Sequence, residues 1–111
     1  MEIVFKDAEL ARVCNSGPAR RDRLGPDGAT ILLRRLGQME AAHHLADLRH
    51  VAAARLRPAA NGDCFTLLVS LGDHGDLVVR PRDDDPPGTL DDGTLNEHAV
   101  RAVIVAAIHR P

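Results

Sequence analysis

At 111 residues and a formal net charge of -2, the chain has room for one modest core, and an apolar fraction of 44% sets it apart from disordered and fibrous sequences. Phe5 and Phe65 are the only aromatics, with no Trp or Tyr, so the core must be aliphatic, and there is no row of rings on which single-stranded bases could stack. Residues 1–82 hold 12 basic and 10 acidic side chains, residues 83–111 hold 2 and 6, and 13 of the 14 basic residues are Arg, which can grip phosphate bidentately. A GC-rich genome that favours Arg codons explains that excess more simply.

Glu2-Ile3-Val4-Phe5-Lys6 reads as a first strand, and Asp7 as the N-cap of a helix over Ala8 to Cys14 that ends at Asn15-Ser16-Gly17-Pro18. A brief basic turn of helix spans Ala19 to Leu24 and closes at Gly25-Pro26. The longest helix starts at Pro26 and runs to about Leu45. Ala29, Leu32, Leu33, Leu36 and Met39 recur on its core face, with Arg34, Arg35, Gln38 and Glu40 on the other side. Ala46 to Ala54 is connection, and Ala54 to Arg57 a short strand stopped by Pro58. Asn61-Gly62 is the strongest hairpin signal in the chain. Cys64 to Leu71 and Asp76 to Arg80 are strands separated by a turn at Gly72-Asp73-His74-Gly75, which makes an antiparallel meander. Arg82 to Glu97 is a loop without structure of its own, either mobile or laid across the surface.

The run from Ala99 to His109 is apolar to Ile108 apart from Arg101, and rich in Val and Ile. It is too short to span a membrane. It fits an interior strand covered on both faces, which brings His109 and Arg110 to the sheet rim. Its Ala content also fits a short helix, and periodicity does not separate the two. Strand, helices, then a run of strands is an α+β order within a single domain covering 1–111.

Several groupings invite chemistry and have blander readings. His43-His44 are adjacent on a helix and point about 100° apart, so they chelate one ion poorly. Asp83-Asp84-Asp85 and Asp91-Asp92 lack the alternating spacing of a calcium loop. Arg101 reads as half of a structural ion pair rather than a ligand. Cys14 and Cys64 show no zinc spacing, and without a signal peptide they are expected to stay reduced in the cytoplasm. No metal or cofactor site is expected.

Met1 to Asp7 (MEIVFKD) resembles the opening of the RelE/HigB family of bacterial type II toxins, the plasmid maintenance killer proteins. Leu36 to Leu48 (LGQMEAAHHLADL) is similar to that family's helix and connection. Leu77-Val78-Val79-Arg80-Pro81 sits where the family has R-L-I-F-E-P, and Ala99-Val100-Arg101 with His109 echoes its A-V-R … D-Y-H ending. The resemblance implies a twisted antiparallel sheet with N-terminal helices packed on one face. It also implies a helix-turn-helix antitoxin as partner, and cleavage of messenger RNA on the ribosome.

Metal-free RNA cleavage needs a base for the 2′-OH, a cation over the phosphate oxygens and an acid for the leaving oxygen. His109 is the candidate acid or base, because an unperturbed imidazole titrates near pH 6.5. Arg57 and Arg80 are the candidate phosphate cations of the catalytic set. Arg55, Arg34 and Arg35 are candidate RNA contacts, with Arg20, Arg21 and Arg23 as further basic residues on a face that solvent alone would also explain. The chain departs from the family at several positions. The usual His is Arg57, the Arg of R-L-I-F is Asp76, the basic turn K-G-D-R-x-G-Q is Ala59 to Cys64, and Asp-Tyr is Ala107-Ile108. Asp76 puts a negative charge where phosphate should bind. The alternative to a nuclease is therefore a degenerate relative that keeps the antitoxin-binding surface without the cut.

Overall fold

Asp7 starts the first helix as expected: its extended backbone and its carboxylate, which accepts from the Leu10 N–H at 2.9 Å, cap α1 (Ala8–Asn15). Ser16 caps α2 (Gly17–Ala41) in the same way, accepting from the Ala19 N–H at 3.3 Å. These residues belong to a computed structural model that describes 1–60, 65–82 and 88–111. The expected break at Gly25-Pro26 is a kink inside α2: Gly25 sits at φ 75°, ψ 172°, a conformation that favours glycine, and Pro26 brings no N–H to the helix ladder. The helix stops at Ala41, short of Leu45. The amino group of Met1 donates to the carbonyls of Glu40 (2.9 Å) and Ala42, groups that a helix end leaves unpaired.

After α2 the chain makes two 3-10 turns, Leu45–His50 and Ala52–Ala54, where only connection was expected. Strands β1 (Glu2–Phe5), β2 (Arg57–Pro58), β3 (Leu67–Ser70), β4 (Asp76–Pro81) and β5 (Ala102–His109) then form one sheet in the order β1-β5-β4-β3-β2. β2, β3 and β4 form the expected antiparallel meander, and β5 extends it beside β4. The sheet as a whole is mixed, because β1 pairs with β5 in parallel, Glu2 opposite Ala102 and Phe5 opposite Val105. That corrects the all-antiparallel expectation. Strand direction follows from how many times the chain reverses between β1 and β5, and a four-residue alternating strand carries no mark of it.

The last run is a strand, not a helix, and lies inside the sheet between β1 and β4. Only one of its faces is deeply covered. Val103 and Val105 are fully shielded and Ile108 nearly so, whereas Ala102, Ile104, Ala106 and Ala107 are half-buried. The buried positions are spaced two and then three apart because Ala106 is an extra residue: Val79 pairs with Val105, and Val78 with Ala107. This bulge moves both Ala106 and Ala107 onto the outer face and returns Ile108 to the core. Leu32, Leu36 and Met39 of α2 and Leu10 and Val13 of α1 pack on the inner face against Leu67, Val69, Leu77, Val79, Val103 and Val105. Each such fully buried aliphatic side chain stabilises the fold by about 1.5–3 kcal/mol.

Two expected core and surface positions exchange places. Leu33 is 53% exposed, and Arg35, expected on the solvent side, is buried at 6%. The 82–97 loop is also more built than expected in its described part. Thr89 bridges Leu95, Leu95 and Val100 join the core, and Glu97–Ala99 forms a 3-10 turn. Asn61-Gly62 and Asp83-Asp84-Asp85 lie outside the described residues. Among the described residues no helix is long and apolar enough to cross a membrane.

Candidate functional site

Alternation along the strands decides which charged side chains share a face. Inner-face positions are Leu67 and Val69 on β3, Leu77 and Val79 on β4, and Val103 and Val105 on β5. Their neighbours Leu68, Ser70, Asp76, Val78, Arg80 and Ile104 therefore project from the outer face. Pairing across the sheet adds Arg57, opposite Leu68, and His109, opposite Asp76. The three expected catalytic residues, His109, Arg57 and Arg80, thus stand on one sheet face, the one the helices leave uncovered.

They are not equally close. Arg57, at the β2 edge, reaches over β3, whose outer-face residues here are the uncharged Leu68 and Ser70. One guanidinium NH2 group meets the Asp76 carboxylate at 2.7 Å, and another donates to the Arg55 carbonyl at 3.1 Å. Both partners of the ion pair are half-buried, with side chains 35% and 26% exposed, so water screens the pair only partly. Asp76 is also the cross-strand neighbour of His109, which is exposed. Arg57, Asp76 and His109 therefore form a cation–anion–imidazole row at one end of the face. Arg80, half-buried, lies four residues further along β4, about 13 Å of strand away.

The row extends one step further, because Ser70 on β3 pairs with Asp76. Ser, Asp and His in line suggest a hydrolase triad, but the order excludes one. The imidazole must stand between nucleophile and carboxylate, and here the carboxylate stands between the other two. The Ser70 Oγ is already engaged, accepting from the Gly72 N–H at 3.0 Å.

Two glycines permit this end of the sheet. At Gly75 (φ 113°) a Cβ would come within 1.9 Å of the His109 carbonyl oxygen, so the strand pair that seats His109 closes only over a bare α-carbon. At Gly28, in α2, a Cβ would meet the Leu24 Cβ at 2.7 Å and the His74 ring at 3.0 Å, which sets how closely the helix approaches the turn before β4.

The expected RNA-contact arginines separate. Arg35 is no surface cation but a brace behind the site. Its Nε donates to the Ser70 carbonyl at 2.9 Å, one NH2 group to the Ala53 carbonyl at 3.1 Å and another to the Gln38 side chain at 3.3 Å. Burial, with a smaller push from Arg34, holds its pKa below the ordinary Arg value. Arg34 is exposed on the side of α2 turned away from the sheet, so the helix and sheet stand between it and His109. Arg55 is not in a strand. It is exposed at the end of the second 3-10 turn with a left-handed backbone (φ 45°, ψ 50°), and its carbonyl holds Arg57. Arg101 is exposed and makes no ion pair among the described residues; its carbonyl accepts from Glu2.

Sequence reasoning passed over Arg49. It forms a two-pronged pair with Glu97 at 2.9 and 2.6 Å and donates to the Leu56 carbonyl, joining the 3-10 turns to the last loop. The hydrogen bond to Glu97 holds its guanidinium pKa above the ordinary value. No spacing rule links residues 48 apart in sequence. The His43 backbone N–H donates to the Asp47 carboxylate at 2.9 Å, the His44 Nδ1 lies 3.5 Å from the same carboxylate, and the His44 ring is tilted against His98 at 5.0 Å. Asp92 holds the turn at Thr94, and those hydrogen bonds hold its carboxyl below the usual range. Cys14 is a buried free thiol, its pKa pushed up to about 11 by burial.

No family model matches the chain, and no curated protein or solved structure matches it either.

Proposed function

We propose that the chain is the toxin of a type II toxin–antitoxin pair, a metal-independent endoribonuclease of the RelE/HigB kind, neutralised by a helix-turn-helix antitoxin and directed at messenger RNA on the ribosome. The observation that carries the reading is the common outer face of His109, Arg57 and Arg80. His109 takes the proton of the 2′-OH or returns one to the leaving oxygen, Arg57 holds the phosphate beside it, and Arg80, about 13 Å further along β4, meets the RNA backbone beyond that phosphate. The segments that resemble the family, in family order from Met1 to His109, supply the substrate class and the partner.

A second reading has its own support. Asp76 occupies Arg57 at 2.7 Å, so the guanidinium nearest His109 is already paired with a carboxylate. A protein of this shape that binds its antitoxin and leaves RNA intact fits that pairing.

Induced expression with transcript mapping separates the two. Growth arrest with cut transcripts, both lost in His109→Ala while the variant still accumulates in folded form, is the expected result. Undisturbed growth at high soluble expression, with RNA intact on ribosomes, overturns the nuclease and leaves the binding module.

A further inference from the structure

We propose that Asp76 is a built-in restraint on anion binding: its carboxylate competes with a phosphodiester for the guanidinium of Arg57. The inference rests on reading the outer face as an RNA-binding surface. Asp76 is not part of any chemistry proposed for that face; it is a positioning residue that acts through Arg57.

Three features converge on it. The ion pair is short, at 2.7 Å, and half-buried, so it is a stronger competitor than a fully solvated carboxylate. Arg57 is steered into it by a second hydrogen bond, to the Arg55 carbonyl, from a residue whose left-handed backbone presents that oxygen. Asp76 pairs across the strands with His109, so a phosphate between Arg57 and the imidazole would have the carboxylate as its immediate neighbour. Phosphate must displace one anion from Arg57 and then stay beside it. The resting protein therefore holds RNA weakly, and loss of the Asp76 charge turns the same face into a better phosphate site. Asn at this position can still accept from Arg57, so shape is kept while charge is removed.

The test is fluorescence anisotropy of a labelled single-stranded RNA oligonucleotide with the full chain at several salt concentrations. Asp76→Asn is expected to bind about tenfold more tightly than the natural protein, the scale of one partly screened charge contact. It should also show a salt dependence steeper by about 0.7 in the log–log slope, one added phosphate contact to a single strand. Both gains should vanish in the double variant Asp76→Asn/Arg57→Ala. Asp27→Asn, the same charge change at an exposed position on α2, should alter affinity less than about twofold. Circular dichroism checks the fold, and Asp76→Ser repeats the test with a smaller side chain. A gain no larger than that of Asp27→Asn, a gain that survives loss of Arg57, or no measurable binding by Asp76→Asn overturns the restraint. Phosphorus NMR with inorganic phosphate and an RNA-cleavage assay on the same proteins separate this outcome from the wider reading. Asp76→Asn that gains phosphate and RNA but cuts nothing removes the nuclease and keeps the restraint. A natural protein that cuts, with binding unimproved in Asp76→Asn, removes the restraint alone.

Discussion

On the helix-covered face of the sheet, Val69, Leu77, Val79, Val103 and Val105 are wholly shielded from water, while β3, β4 and β5 present Ser70, Asp76, Arg80 and His109 on the other. The inner face is held by volume. Any aliphatic set of the right size would fill it, and among the described residues Arg35 is the only buried charge, donating to two carbonyls and Gln38. The outer face carries buried Val78 and Ser70 in its middle and is arranged by charge at its His109 end, where the contacts, partly wet as they are, contribute little to stability. The difference teaches where to look for function: a side chain that the core does not need, beside others like it, is free to serve chemistry. At Gly75 and at Arg35 one face depends on the other.

The largest effect should come from Gly75→Ala. A Cβ 1.9 Å from the His109 carbonyl oxygen can be relieved only by parting β4 from β5, and φ 113° adds backbone strain. Both faces lose their register together, and urea unfolding should show a loss of more than about 3 kcal/mol, if the variant folds at all. A melting curve like that of the natural protein would mean that β4 and β5 part at the His109 end at little cost. Arg35→Met comes next. It keeps the apolar stem but leaves the buried Ser70 carbonyl without this donor, at about 2 kcal/mol by the cost of an unsatisfied buried acceptor, while the exposed Ala53 carbonyl can turn to water. Because Ser70 neighbours Asp76, the same variant should loosen the Arg57–Asp76 end of the outer face, seen as broadened backbone NMR signals at Ser70 and Asp76 but not at β1. An unchanged urea midpoint would show that Arg35 is not the brace between the faces.

Much of the inner face was legible beforehand. Asp7 as a cap, the Gly25-Pro26 break and the stripe Leu32-Leu36-Met39 each follow from a local rule, and each holds; the strand reading of the last run, favoured over a helix by its Val and Ile, holds too. What local rules cannot reach failed for identifiable reasons. Leu33 and Arg35 exchanged places because a long helix with apolar and basic residues side by side admits two stripes, and only the carbonyls of Ser70 and Ala53, 35 and 18 residues away, choose between them. The parallel pairing of β1 depends on connectivity, and the bulge at Ala106 on a register that no single strand encodes. For the candidate site, the residue types at Arg57, Arg80 and His109 could be picked out, but not that Asp76 would face Arg57, since that contact exists only once three strands have paired.

The smallest effect concerns the inner face alone, through the thiol of Cys14. Cys14 is 3% exposed in the core, and burial raises its pKa from 9.0 to about 11. Below about pH 9 the thiol is neutral in folded and unfolded chains alike, and its contribution to stability is complete. Above that the unfolded chain releases the proton while the folded chain keeps it, so the unfolded state binds fewer protons and stability falls with pH until the folded thiol itself ionises near 11. By about pH 10 the loss should be roughly 1 kcal/mol, read as the difference in urea midpoint between the natural protein and Cys14→Ala over the same pH series. The difference isolates this group from the other titrating residues. Midpoints that fall in parallel would place the thiol in contact with water.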